Sequence, residues 1–247
     1  MVTDTWVYEQ LGIRPRLRER FYVPALIQFY QEKQQGLSEK EKPFFNQSLK
    51  LFLEYLETVR ATSWEACDQK FWEKLFTFSF LDLSYSQSAE QVRAFFQVIG
   101  QFTVYLDNQN SRDLHRLVED FIEKVENDVL DAVRLLDSYH QKVEQPFATG
   151  IAEIEREALL QEVGSPISEG VFVLKDKTES AITAHHLLTR NEYVIALSPH
   201  LSELMHDSMS LIGVLKEASN TTWEILVLDR AFPTAALPFV KEAVGVS

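Results

Sequence analysis

A chain of 247 residues that is 45% apolar and 25% charged has the balance of a globular protein and the length for two domains, which excludes wholesale disorder and collagen-like or low-complexity architectures. Its single cysteine, Cys67, excludes an internal disulfide and a cysteine-based zinc cluster. The net charge of -13 disfavours a general grip on phosphate backbones, which needs concentrated Lys and Arg, and ten of those charges belong to residues 61–165.

Residues 1–13 carry Asp4 and Glu9 and lack the basic start and long apolar stretch of an export signal. No segment approaches the ~18 uninterrupted apolar residues of a membrane span. The expected location is the cytoplasm, with no membrane partner.

The first stretch departs from the acidic trend in a run of Arg14, Arg16, Arg18 and Arg20. On a helix, Arg14 with Arg18 and Arg16 with Arg20 are i,i+4 neighbours that repel unless an anion or carboxylate sits between them. These four are candidate anion-binding or partner-docking residues, set against a plain solvated face neutralised by Glu9 and Glu19.

From Arg14 to about residue 144 the apolar spacing is helical. At an offset of 50, Phe45, Leu49, Phe52, Tyr55 and Leu56 fall on Phe95, Ile99, Phe102, Tyr105 and Leu106, and Ser38 falls on Ser88. Each unit reads as a helix, a polar connection with a serine N-cap, and a second helix. Neither hairpin can bury its apolar face alone, so the two are expected to pack on each other. Phe29-Tyr30, Gly36-Leu37-Ser38 and the run from Phe52 to Leu56 resemble the N-terminal helical DNA-binding domain of tyrosine recombinases. The resemblance implies a DNA-binding helical hairpin over residues 25–56. The helical half is acidic, so that function is not carried over.

Leu114, Val118, Phe121, Val125, Val129, Ala132 and Leu136 step by three or four and predict a long helix from Ser111, its N-cap, to about residue 141. Its wet face groups Glu119, Glu123 and Glu126 with His115, which reads either as a carboxylate-rich ligand set or as an exposed stripe. Pro and Gly breaks then frame a short linker helix at 151–161. Beyond it, runs at 170–175, 181–188, 192–198, 210–218 and 222–231 read as strands, with Ser198-Pro199 opening a short helix to about residue 206. A last helix is expected over 233–243.

The fold class expected is α+β: an N-terminal all-α bundle of helical hairpins (1–146), a linker helix (147–166), and a small five-stranded β-barrel-like domain (167–247) with a short helix between strands three and four. That arrangement is also the OB one, whose barrels bind oligonucleotides or oligosaccharides. Trp223 is the residue there that either stacks on a base or closes the barrel core. Glu203 and His206 would share a helical face as candidate ligands for zinc, manganese or iron. No nucleophile elbow, phosphate-binding glycine loop or dinucleotide fingerprint is present. The function expected is therefore non-enzymatic, without a cofactor. The bundle would dock a protein partner through its acidic long helix or an interhelical groove. A nucleic-acid-associated regulator and a metal-dependent hydrolase are the alternatives.

Overall fold

The computed structural model describes residues 5–83, 88–110, 113–142 and 164–246. The chain forms two compact units, residues 1–126 and 127–247, and the division falls inside one long helix. The linker helix expected at 151–161, and Ser111 as a cap, lie outside the described residues.

The first unit is helical, as expected. Helix α1 (Thr5–Leu11) precedes the region whose spacing reads as helical, and it buries Val7 and Leu11. Then come α2 (Val23–Gln34), α3 (Glu41–Thr58), α4 (Gln69–Lys74), a π turn (Leu75–Ser79), α5 (Phe80–Leu83), α6 (Ala89–Asn110) and the start of α7 (Leu114–Lys142). The offset of 50 reappears as geometry. The Ser38 N–H donates to a Glu41 carboxylate oxygen at 2.8 Å, and the Ser38 hydroxyl donates to the same oxygen at 2.6 Å. Fifty residues on, the Ser88 N–H donates to Gln91 Oε1 at 2.7 Å and the Gln91 N–H to Ser88 Oγ at 3.2 Å. Both pairings join residues that match at the offset of 50 close to where a helix opens, with α6 beginning two residues earlier than α3 on that offset.

Equivalent side chains of the two hairpins then meet. The Phe52 and Phe102 rings pack edge to face with centroids 5.6 Å apart, and Gln91 donates to Gln47 at 3.1 Å. Phe45, Leu49, Leu56, Phe95, Ile99 and Leu106 are all 3% exposed or less, so each hairpin contributes a stripe that only tertiary packing buries. The hairpins differ in their first helices: α2 is regular, whereas its counterpart passes through the π turn, where the Thr77 hydroxyl donates to the Glu73 carbonyl at 2.7 Å.

The cap of α7 comes from a residue that local spacing does not single out. Asp107, in the last turn of α6, accepts from the Leu114 N–H at 3.0 Å with one carboxylate oxygen and from the His115 N–H at 2.7 Å with the other. A carboxylate at this end also complements the helix dipole. Asp107→Ala is expected to destabilise the chain by about 1–2 kcal/mol, the usual weight of an N-cap. Urea denaturation checks this; a change below about 0.3 kcal/mol would mean that water replaces the cap without loss.

The second unit holds the rest of α7 and a five-stranded sheet: β1 (Ile167–Lys177), β2 (Ala181–His186), β3 (Glu192–Ala196), β4 (Ser210–Ser219) and β5 (Thr222–Phe232). A short helix α8 (Pro199–Leu204) lies between β3 and β4, and α9 (Leu237–Ala243) ends the chain. The sheet runs β1-β2-β3-β5-β4 and returns to β1, so it curls into a ring, closed between β3 and β5 by one parallel bridge from Ile195 to Trp223. Five strands in a ring with a helix between the third and fourth is the arrangement expected from the sequence.

Alternation along β1, β2 and β4 sends Phe172, Leu174, Ile182, Ala184, Leu211 and Leu215 into the ring, where Ala132, Leu135 and Tyr139 of α7 join the same cluster. The Tyr139 hydroxyl is shared between the carbonyls of Ile225 and Leu226, at 2.8 Å to Ile225. Those carbonyls are available because β5 bulges: Val214 pairs with Val227 and Leu215 with Ile225, which leaves Leu226 outside the ladder. Burial, and behind it Glu224 and Asp229, pushes the Tyr139 phenol well above its ordinary range, so it stays a donor.

Candidate functional site

The described residues outline a cleft of about 370 Å³ between α6 and α7, wholly within the helical unit. Its α6 wall is Phe96, Gly100 and Val104, one residue per turn on a single face. Its α7 wall is His115, Glu119, Ile122 and Glu126, again at helical spacing, with Glu123 and Arg93 beside them. Phe96 is 3% exposed and forms the floor, while Val104 is 37% exposed, an apolar surface left open to solvent. Three carboxylates thus face one guanidinium across an apolar trough.

The sequence placed His115 and the three acids on one face, and the structure agrees. His115 Nε2 lies 3.3 Å from a Glu119 carboxylate oxygen, and its buried Nδ1 has no hydrogen-bond partner among the described residues. Among the described residues, no group of three or more His, Cys, Asp or Glu is placed to hold a metal ion. The stripe therefore presents charge to whatever enters the cleft and does not assemble a ligand set.

The arginine run does not lie on a helix. Pro15–Leu17 is a single 3-10 turn, and Arg14, Arg16, Arg18 and Arg20 are all exposed around it. Off an α-helix, the i,i+4 stacking of Arg14 with Arg18 and Arg16 with Arg20 does not form. Arg16 pairs with Glu57, and the Arg18 guanidinium lies 4.5 Å from the centre of the Tyr8 ring.

Trp223 is half-buried and packs against the interior of the ring. Its ring meets Tyr193 edge to face at 4.8 Å, Tyr193 meets Phe172 at 5.6 Å, and the three form a line reaching into the ring's interior. Tyr193 is 8% exposed and Phe172 fully buried, so neither offers a face for a base to stack on.

Glu203 and His206 are separated by the end of α8. The helix stops at Leu204 and Met205 is extended, so the i,i+3 relation that would align the two does not form. Glu203 is exposed, while His206 Nε2 is 3.0 Å from a carboxylate oxygen of Asp131 on α7. His200 Nε2 is likewise 2.9 Å from the Ser138 hydroxyl. Both histidines tie α8 and the loop after it to the long helix.

The remaining pair splits as adjacent strand residues must. His186 is buried and structural: Nδ1 accepts from the Leu188 and Thr189 amides, both at 3.2 Å, while Nε2 reaches the Glu169 carbonyl at 3.0 Å. Gly170 lets that ring in, since a Cβ there would sit 2.3 Å from His186 Nε2. His185 turns the other way, 3.9 Å from Glu192, and burial together with Lys175 lowers its basicity.

Cys67 is inert. It is 2% exposed, and burial, aided by Asp68, pushes its thiol up to about 12. A thiol whose pKa is raised on folding is favoured in its neutral form, so its contribution to stability is lost only as pH rises above the unfolded value, near 9. At pH 8 the native protein is therefore expected not to react with a thiol reagent such as dithionitrobenzoate, and to react stoichiometrically in guanidinium. Rapid native labelling would contradict the buried placement.

Compared with protein-family models, curated proteins and solved structures, the chain has no significant match in any of the three. The tyrosine-recombinase resemblance of residues 25–56 thus gains no support from the family comparison. The case for function rests on the chemistry of the chain itself.

Proposed function

We propose that this is an interaction protein without catalysis of its own, whose helical unit docks a partner protein in the cleft between α6 and α7. The carrying observation is the cleft: an apolar floor, a solvent-open Val104, and a rim on which Glu119, Glu123 and Glu126 outnumber Arg93. Exposed apolar surface framed by charge is the usual signature of an interaction site. The acidity concentrated at residues 61–165 gives such a surface long-range attraction for a basic partner.

A photo-cross-linking residue at Gln101, in the cleft, tests the reading against the same residue at Gln28 on the exposed side of α2. In cells of the source, Gln101 is expected to yield a discrete protein adduct that disappears in a Glu119→Lys/Glu123→Lys background. Equal adducts at both positions, or an adduct indifferent to the charge reversal, would sink the proposal.

The strand order of the ring favours one second reading, a nucleic-acid-associated role for the other unit with Arg14, Arg16, Arg18 and Arg20 as a basic arm. Binding of a labelled oligothymidine that weakens with salt would support it. Absence of binding even at low ionic strength removes it.

A further inference from the structure

Gly100 has no neighbour in the cleft, among the described residues, that calls for a glycine. It lies in the middle of α6, a helix of 22 residues, where glycine is the poorest former after proline. Its φ is not positive, so the backbone has no need of glycine's conformational freedom. Among the described residues, a Cβ built there would meet nothing within 4 Å, so none of them excludes alanine. A bare backbone on the wall of a cleft permits the close approach of another chain.

What approaches is limited by the shape and charge of the trough. Its lining runs over residues 93–104 of α6 and 115–126 of α7, a length of ~17 Å, or three helical turns. Both walls are helices whose mid-length backbone groups are already paired, so an extended strand finds no ladder to join. Glu119, Glu123 and Glu126 stand at i, i+4 and i+7, a carboxylate row ~10 Å long that repels anions and matches cations repeated at helical spacing.

We infer that the cleft takes an amphipathic α-helix of a partner protein, its Lys and Arg flank along Glu119, Glu123 and Glu126 and its apolar flank crossing the α6 backbone at Gly100. This rests on the docking reading above and specifies the occupant. Val104 and the half-buried Ile122 are the apolar surface such a helix covers.

The test uses the full chain and three labelled 18-residue synthetic peptides, read by fluorescence anisotropy. One is an amphipathic helix with a Leu/Ala apolar face and Lys elsewhere; the second carries Glu in place of Lys; the third is the first with two central prolines. The lysine helix is expected to bind at least about tenfold more tightly than either of the others, because the second meets like charge and the third cannot stay helical. Gly100→Leu is expected to weaken its binding by about tenfold or more, by filling the crossing point. Gly100→Ala separates this from a folding defect: it is expected to raise Tm by ~2–4 °C, since alanine is the better helix former and has room, while still weakening the peptide. Comparable binding of all three peptides, or undiminished binding by Gly100→Leu, would overturn the inference. If no peptide binds while the Gln101 adduct forms and answers to charge reversal, docking stands and the basic-helix occupant is refuted.

Discussion

Phe102→Ala is expected to be the most damaging single truncation in the helical unit, costing about 3–5 kcal/mol. Phe102 is fully buried, and its ring lies 5.2 Å from Phe29, 5.6 Å from Phe52, 5.5 Å from Trp64 and 6.2 Å from Tyr105, centroid to centroid. Removing it deletes the transfer energy of the ring and leaves a void walled by four other aromatic side chains. Such stiff, flat groups collapse poorly into a void, so the cavity contribution stays large. The edge-to-face geometry with Phe29, Phe52 and Trp64 is lost as well, at roughly 0.5–1.5 kcal/mol for each such pair. Calorimetry is expected to show Tm lower by roughly 10 °C or more. Phe102→Leu, which keeps most of the volume, should recover about half of the loss. A Phe102→Ala protein that melts within about 2 °C of the parent would refute the seam between the hairpins as the centre of the core.

Gly213→Ala is expected to cost about 2–4 kcal/mol, against the modest gain expected of the same substitution at Gly100. Gly213 lies in β4 where the register with β5 shifts: Ile212 pairs with Arg230 and Gly213 with Leu228. A Cβ there would sit 2.1 Å from the Val227 carbonyl oxygen. That oxygen belongs to the backbone of the neighbouring strand and cannot swing aside as a side chain would. The two strands must part, and the ring with them, because β4 and β5 supply two of its five staves. Urea denaturation of the two alanine variants side by side provides the measurement. Identical signs at Gly213 and Gly100 would show that the local space around the two glycines does not decide their cost.

The two glycines also mark where sequence reading stops. Glycine inside a strand or a helix is legible as an oddity, yet the sequence does not say whether a carbonyl or empty space faces it. Gly213 answers to a strand nine or more residues further on, and Gly100 to a helix beyond the next turn. The cleft divides in the same way. His115, Glu119, Glu123 and Glu126 were placed on one face by the 3.6-residue period alone, because that period is a property of a single helix. Phe96, Gly100 and Val104 became the opposite wall only through the packing of α6 beside α7, and Phe96 reads from sequence as one more core aromatic. Trp223 was left between two roles, since a half-buried strand residue faces inward or outward according to how the ring closes. The structure leaves it half-buried, edge to face with Tyr193.

The histidines show the limit for long-range partners. Glu203 and His206 were drawn together by counting along an assumed helix, and the count failed because α8 ends at Leu204. The partner of His206 is Asp131, seventy-five residues earlier, a separation at which no periodicity operates. Asp107 as the cap of α7 is the same lesson over a shorter span: the residues nearest the helix start were the natural candidates, and a carboxylate from the preceding helix supplied the bonds.

By itself the sequence determined the two textures, helical before the Pro and Gly breaks and β after them. It also determined the five strands with their intervening helix, the hairpin pattern repeated at fifty residues, and the acidic face of α7. All of these follow from short-range rules, in which side-chain spacing, capping groups and turn residues act within a few positions. The tertiary structure alone decided that the hairpins meet through Phe52 and Phe102, that the sheet returns on itself through Ile195 and Trp223, and that α7 belongs partly to each unit. It also decided that a cleft opens beside the acids. Those outcomes depend on which buried faces satisfy each other best, a choice set by shape and close packing between distant segments, and periodicity carries no information about it.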